Sequence, residues 1–142
     1  NDPELIIADE PTTALDVTVQ AQILNILNSL RKERKLSILF ISHDFGVISQ
    51  LCDRVIVMYA GSIVEEGPVK NIMQQAAHPY TSELIKCVPQ LGNKEHALHS
   101  IPGNPPSLNQ LPEGCVFANR CQYKQDQCLK GSVPVSSKDN RS

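Results

Sequence analysis

Two acids stand side by side at the end of a short apolar run, Leu5-Ile6-Ile7-Ala8-Asp9-Glu10-Pro11, and a histidine follows a second apolar run in Ser42-His43-Asp44. An apolar run of this length, stopped by a proline, reads as a strand buried on both faces of a parallel sheet. Acids at the end of such a strand fall in the crevice where open α/β sheets bind ligands. Successive strand residues point to opposite sides, so Asp9 and Glu10 are expected to do different jobs. One can hold a magnesium ion while the other faces a reacting water. That division of labour suits nucleoside triphosphate hydrolysis, where metal positioning and water orientation supply most of the catalysis. Taken alone, an Asp-Glu pair is more often a solvated strand end, and a histidine after a strand is more often a satisfied turn residue. It is the combination, acids and histidine separated by one helix and one strand, that favours a site.

The elements that must position these residues are legible. Asp16 is a good helix N-cap before Val17. Val19, Ile23, Ile26, Leu27 and Leu30 recur at helical spacing and predict one apolar face. Arg31, Lys32, Arg34 and Lys35 crowd the helix end, where cations suit the dipole. Leu36 to Ile41 predicts the next buried strand, and strand, helix, strand in this order makes a right-handed crossover between parallel strands. Asp44 is placed to cap a short helix from Phe45 to Leu51. Arg54 to Ala60 reads as a third apolar strand, Gly61 as a turn, and Ser62 to Glu66 as its antiparallel partner, with Gly67-Pro68 ending the hairpin. Helices are predicted over Val69 to Ala76 and from about Tyr80 to Cys87, with Pro79 at the start of the second.

After Pro89 the character changes. Pro102, Pro105, Pro106 and Pro112, with Gly103 and Gly114, rule out long regular elements. The segment reads as an extended arm carrying Cys115, Cys121 and Cys128. It is too poor in large apolar side chains to fold by burial alone, so docking on the Tyr80–Cys87 region or a bound metal is expected to fix it. The Ser-rich tail from Gly131 is expected to be loose. Cys52 and Cys87 sit in apolar helical contexts and read as core residues.

Composition bounds the rest. The chain has 142 residues, 41% hydrophobic and 20% charged, with a net charge of −2. This suits one soluble globular domain, and no basic surface argues for nucleic acid. The longest apolar runs are about six residues, far short of the roughly 20 that a membrane span needs. The chain does not begin with Met, and Asn1 lies directly before a core strand, so it reads as a fragment.

Glu10-Pro11-Thr12-Thr13-Ala14-Leu15-Asp16 resembles the Walker B and D-loop region of ABC transporter ATPases, and Ser42-His43-Asp44 resembles their switch histidine. Residues 5–22, with Asp16-Val17-Thr18-Val19-Gln20-Ala21-Gln22, resemble most the oligopeptide, dipeptide and nickel import branch. Ile101-Pro102-Gly103-Asn104-Pro105-Pro106-Ser107-Leu108 and Pro112-Glu113-Gly114-Cys115-Val116-Phe117-Ala118-Asn119-Arg120-Cys121 resemble the C-terminal extension of that branch.

The resemblance implies the C-terminal part of a P-loop NTPase: an α/β parallel sheet with flanking helices and an irregular Pro-rich extension. By it, residues 1–68 are the end of a nucleotide-binding domain and residues 69–142 a helical linker and extension. It implies an ATPase of the translocase class that uses ATP and Mg²⁺, with Asp9 holding the metal, Glu10 polarising the attacking water and His43 contacting the γ-phosphate. Near a triphosphate the Glu10 carboxylate is expected to gain a proton more easily than in water. Asp16 is implied to reach across a head-to-tail dimer interface. The implied partners are a second ATPase subunit, permease subunits in the membrane and, indirectly, an extracytoplasmic solute-binding protein. The implied place is the cytoplasmic face of the inner or plasma membrane.

In some relatives four cysteines of the extension bind a four-iron, four-sulfur (4Fe-4S) iron–sulfur cluster. Here Cys115, Cys121 and Cys128 match, with no fourth before Ser142, so a fourth ligand from elsewhere, an incomplete site and no metal all stay open. No Gly-x-x-x-x-Gly-Lys-Ser/Thr occurs in the 142 residues, and the family's signature motif and glutamine loop are missing too. The chain by itself is therefore expected to be inactive, and a structural or regulatory module is the alternative reading.

Overall fold

A computed structural model describes residues 2–88, 99–131 and 133–137. Pro89, where the arm is predicted to begin, and the end of the tail lie outside them. The chain divides into two compact units, Asn1–Cys52 and Asp53–Ser142.

The first unit is a β-α-β-α run. Strand β1 (Leu5–Asp9) pairs in parallel with β2 (Ser37–Ile41), with Ile7 opposite Leu39 and Asp9 opposite Ile41. Helix α1 (Val17–Arg34) joins them, and α2 (Phe45–Leu51) follows. Both helices start where a side chain satisfies free backbone donors. The Asp16 carboxylate accepts from the N–H groups of Thr18 and Val19, both at 3.0 Å, and Asp44 accepts from Gly46 at 2.8 Å and Val47 at 3.2 Å. Lys35, in the left-handed region at φ 54°, ends α1.

Two expectations fail here. The β1–β2 pair is not buried on both faces: Ala8 is buried and Ile6, Ile38 and Phe40 are half-buried, but Ile7 is 63%, Leu39 47% and Ile41 44% exposed on the opposite face. Alternation along the strands sends these residues to a face that nothing in the unit covers. Ile26 likewise leaves the predicted face of α1. It is exposed, whereas Val19, Ile23, Leu27 and Leu30 are half-buried.

The second unit opens with an antiparallel hairpin, β3 (Arg54–Tyr59) and β4 (Ser62–Pro68). Its two-residue loop has φ 47° at Ala60 and 80° at Gly61. Paired positive φ values match the twist of the flanking strands, and glycine reaches them without strain. The third strand is apolar as predicted, with one face buried and the other exposed. Val55, Val57 and Tyr59 are buried while Ile56 and Met58 face out. A bulge after Val57, which leaves Val64 unpaired, shifts the register.

Helices α3 (Val69–Gln74) and α4 (Pro79–Lys86) pack on β4. Between them the buried Glu65 accepts from the N–H groups of Ala77 at 2.8 Å and His78 at 3.0 Å. His78 then caps α4 by accepting from the Tyr80 N–H through Nδ1.

Among its described residues the Pro-rich arm has two short 3-10 turns, Ala118–Arg120 and Asp126–Leu129. It is nonetheless anchored. Phe117 is 1% exposed and meets the rings of Tyr59, Tyr80 and His78 at centroid distances of 5.2, 5.4 and 5.9 Å. The Arg120 guanidinium donates to the carbonyls of Ile101 and Pro102 and to the Tyr59 hydroxyl. Gly114 backs onto Cys128 so closely that a Cβ there would sit 2.3 Å from the Cys128 carbonyl oxygen. Docking, one of the two predicted fixatives, is what the arm shows. Burial also contributes more than its composition suggests, through the single large side chain of Phe117. Tail residues 133–137 are exposed and without regular structure. Among the described residues no helix is long and apolar enough to cross a membrane.

Candidate active site

Asp9 is the last residue of β1, and the ladder runs one step further, with the Glu10 N–H donating to the Ile41 carbonyl at 2.9 Å. At Glu10 the backbone turns into the left-handed region, φ 45°. A non-glycine residue there is uncommon and costs energy, so the surroundings must hold it. They do so with a tight turn: the Thr13 N–H donates to the Glu10 carbonyl at 3.1 Å, the Leu15 N–H to the Thr12 carbonyl at 3.3 Å, and Ala14 is also left-handed at φ 62°.

β2 ends at Ile41 opposite Asp9, so the residues just past it fall beside Glu10. One oxygen of the Glu10 carboxylate, Oε1, accepts from the His43 backbone N–H at 3.2 Å and lies 2.9 Å from His43 Nδ1. The other, Oε2, accepts from the Thr13 hydroxyl at 2.6 Å. Ser42 accepts from the Asp44 N–H at 3.0 Å and so orders the segment that presents the histidine. The His43 side chain is 79% and that of Glu10 36% exposed, leaving both open to a ligand from solvent.

The electrostatics follow from these contacts. The Thr13 hydroxyl, followed by His43, holds the Glu10 carboxyl below the usual glutamate range. The Glu10 carboxylate in turn raises the imidazole of His43 above the usual histidine value. The shift at Glu10 is opposite in direction to the rise expected beside a triphosphate, because in this state its neighbours are a hydroxyl and an imidazole. Such a pair favours an ionised carboxylate facing a protonated histidine.

The structure thus brings Glu10 and His43 together and sets Asp9 beside them, exposed at the C-terminal edge of the sheet. A single hard carboxylate donor of this kind fits Mg²⁺, which keeps several waters and takes few protein ligands. Asp16 sits one turn further on as the cap of α1. The cysteine site fares differently. Among the described residues no group of three or more His, Cys, Asp or Glu could hold a metal ion, so Cys115, Cys121 and Cys128 are not gathered as iron–sulfur ligands. Cys115 and Cys128 meet instead through their backbones, the Cys115 N–H donating to the Cys128 carbonyl at 2.8 Å. All three are free thiols. Sequence reasoning named Thr13 only as part of a motif. The signal that could have found it is a hydroxyl three residues after an acid within a turn.

Residues 64–128 match the family profile described as oligopeptide/dipeptide transporter, C-terminal region. The chain is 54% identical over 127 residues to the oligopeptide transport ATP-binding protein OppD of Haemophilus influenzae, covering 89% of this chain and 39% of that protein. It is 49% identical over 126 residues to OppD of Salmonella typhimurium, covering 89% of this chain and 38% of that protein. The chain therefore spans about two-fifths of the length of these relatives. Among solved structures, cbiO1 from Clostridium perfringens, part of the ABC transporter complex cbiONQ, is 31% identical with a TM-score of 0.48, covering 52% of this chain and 30% of that one. Residues 64–128 are thus similar to the C-terminal region of oligopeptide/dipeptide transporters, and nearly the whole chain is similar to part of the ATP-binding proteins of oligopeptide transport.

Proposed function

We propose that this chain is the C-terminal part of an ATP-binding subunit that energises import of peptides, or of related solutes such as nickel, by hydrolysing ATP. The observation that carries the reading is the Glu10–His43 contact at 2.9 Å, formed at the end of two parallel strands directly after an exposed aspartate. In this reading Glu10 polarises the attacking water and His43 contacts the γ-phosphate. Asp9 would hold Mg²⁺ mostly through water, and the ion when bound neutralises charge on the phosphates. Asp16 reaches a second ATPase subunit across a head-to-tail interface while capping its own helix. Residues 1–68 finish the nucleotide-binding domain, and residues 69–142 form the linker and extension. The subunit works at the cytoplasmic face of the membrane, pairing with permease subunits that an extracytoplasmic binding protein loads with solute.

The test is made in the complete subunit, assembled with its permease. Glu10→Gln should lower ATP turnover by about 10²-fold, a typical loss for a positioned base, while ATP still binds. Near-normal turnover in that variant would remove Glu10 from the reaction and the reading with it.

A further inference from the structure

We propose that the cleft between β4 and the Pro-rich arm binds a short free peptide in extended form, with apolar side chains at alternate positions and a protonated amino terminus, which adds to β4 as a third strand. The inference makes no use of Glu10 or His43 and stands apart from the function proposed for them.

The cleft has a volume of about 720 Å³. Sites for small ligands run from roughly 300 to 1,000 Å³, so a peptide of a few residues fits and a folded domain does not. It is lined by residues 62–66 of β4, residues 114–116 of the arm and residues 133–136 of the tail, together with Ala77 and His78. All belong to the second unit.

Strand β4 offers backbone there. Among the described residues it pairs with β3 alone. In a hairpin with a two-residue loop the pair flanking the loop, Tyr59 and Ser62, exchanges hydrogen bonds, and the next, Met58 and Ile63, does not. The N–H and C=O of Ile63 therefore point away from β3. At the other end the Val69 N–H donates to the Asp53 carbonyl at 3.1 Å. That bond fixes the phase beyond the bulge, so Ile56 and Glu66 form another pair without mutual bonds, and the peptide groups of Glu66 also point outward. Such a strand edge is a template for an extended chain.

The lining selects side chains and charge. Ile63 is 59%, Val133 49% and Val135 82% exposed, apolar surface that a ligand's alternate side chains would cover. Among the described residues no Lys or Arg lines the cleft, whereas Glu65 and Glu66 do. The Glu65 carboxylate is committed to the N–H groups of Ala77 and His78. Glu66 meets Arg54 at 3.8 Å, a loose ion pair that leaves acceptor positions for an ammonium group. His78 adds no cation: burial holds its imidazole below the usual histidine value, and Nδ1 accepts from the Tyr80 N–H, which leaves Nε2–H as its donor. The plain alternative is a solvated crevice whose apolar rim adsorbs any apolar molecule.

The test separates these. The 142-residue chain, labelled with nitrogen-15, is titrated with Val-Thr-Val-Thr-amide, with its amino-acetylated form and with a form N-methylated at the internal backbone nitrogens. The free-amine peptide should move the Ile63 and Glu66 amide resonances downfield, saturably, and slow their exchange. N-methylation removes the ladder donors and keeps the side chains, so it should abolish binding, whereas adsorption to an apolar rim would survive it. Glu66→Lys should weaken the free-amine peptide about fivefold, the upper end for an exposed ion pair, and leave the acetylated one unchanged. Equal binding by the N-methylated form, or shifts centred on the bare face of β1 and β2, overturns the proposal. So does equal binding by the acetylated form, which would indicate an internal segment of another protein. Protection of Ile63 and Glu66 before any peptide is added also overturns it: the edge would then be taken by the chain's own tail or, where protection grows with protein concentration, by a second copy.

Discussion

The two strand pairs of this molecule solve different problems. The β3–β4 hairpin turns Val55, Val57 and Tyr59 inward and, within its own unit, covers them with α3, α4 and the arm around Phe117. The β1–β2 pair leaves Ile7, Leu39 and Ile41 bare and carries Asp9, Glu10 and His43 at an open edge. One unit is held by burial. In the other, a few hydrogen bonds about a left-handed residue hold the side chains that matter, and the apolar face is uncommitted. The aromatic anchoring and the candidate site thus lie in different units, and substitutions should reveal this.

The largest effect is expected at Phe117. Truncating a fully buried aromatic side chain costs about 3–5 kcal/mol, so Phe117→Ala should release the arm and unfold much of the second unit. All three tyrosines, Tyr59, Tyr80 and Tyr123, lie in that unit, which makes the near-ultraviolet circular dichroism its private reporter. Loss of that signal with unchanged amide exchange in β1 and α1 would sharpen the contrast. Simultaneous loss of protection in both units would break it.

A smaller effect is expected at the cap of α1. Asp16→Ala removes the acceptor for the Thr18 and Val19 N–H groups and should cost about 1 kcal/mol. Amide exchange at those two residues should quicken while the tyrosine signal stays fixed, and Asp16→Asn should restore protection. Unchanged exchange in Asp16→Ala would mean that the cap is idle.

The smallest effect is in acid–base behaviour, where two histidines should move in opposite directions. His43 gains a carboxylate partner and is raised, whereas burial, partly opposed by Glu65, lowers His78. The stability contributed at His43 is therefore fully present below the ordinary histidine value and lost as pH rises through its raised value. For Glu10, whose value is lowered, the contribution is present above the ordinary glutamate value and lost as pH falls through the lowered one. The pair is thus strongest in the window between those limits. His78 behaves oppositely to His43: its contribution is present above the ordinary histidine value and lost on acidification, when a protonated Nδ1 can no longer accept from the Tyr80 N–H. Proton NMR of the imidazoles should find His78 titrating below His43, and the reverse order would contradict the environments described for both.

Much of this was legible in the sequence where local chemistry decides the outcome. Asp16 and Asp44 are short acids before apolar periodic segments, so the starts of α1 and α2 follow from capping, and an eighteen-residue helix leaves little doubt about its period. The approach of Glu10 to His43 also follows, because parallel pairing of two apolar strands brings their C-terminal ends together. A strand's pattern gives its period but not its neighbours, so the bare face of β1 and β2 could not be read from residues apolar on both sides. Nor could the anchoring of the arm by Phe117 and Arg120, whose partners lie up to 61 positions away in the chain. For the three cysteines the family resemblance implied a ligand set, and among the described residues no group of three or more His, Cys, Asp or Glu is gathered.

The sequence by itself determined the helix caps, the parallel pairing and the approach of the candidate site residues Glu10 and His43, since these rest on contacts within a few residues or on the ends of paired strands. Only the tertiary structure decided which sheet face is covered, what holds the Pro-rich arm, and that the Thr13 hydroxyl and His43 clamp opposite ends of one carboxylate. Those outcomes depend on where a left-handed turn aims a side chain and on which distant surfaces meet, and neither is encoded in local periodicity.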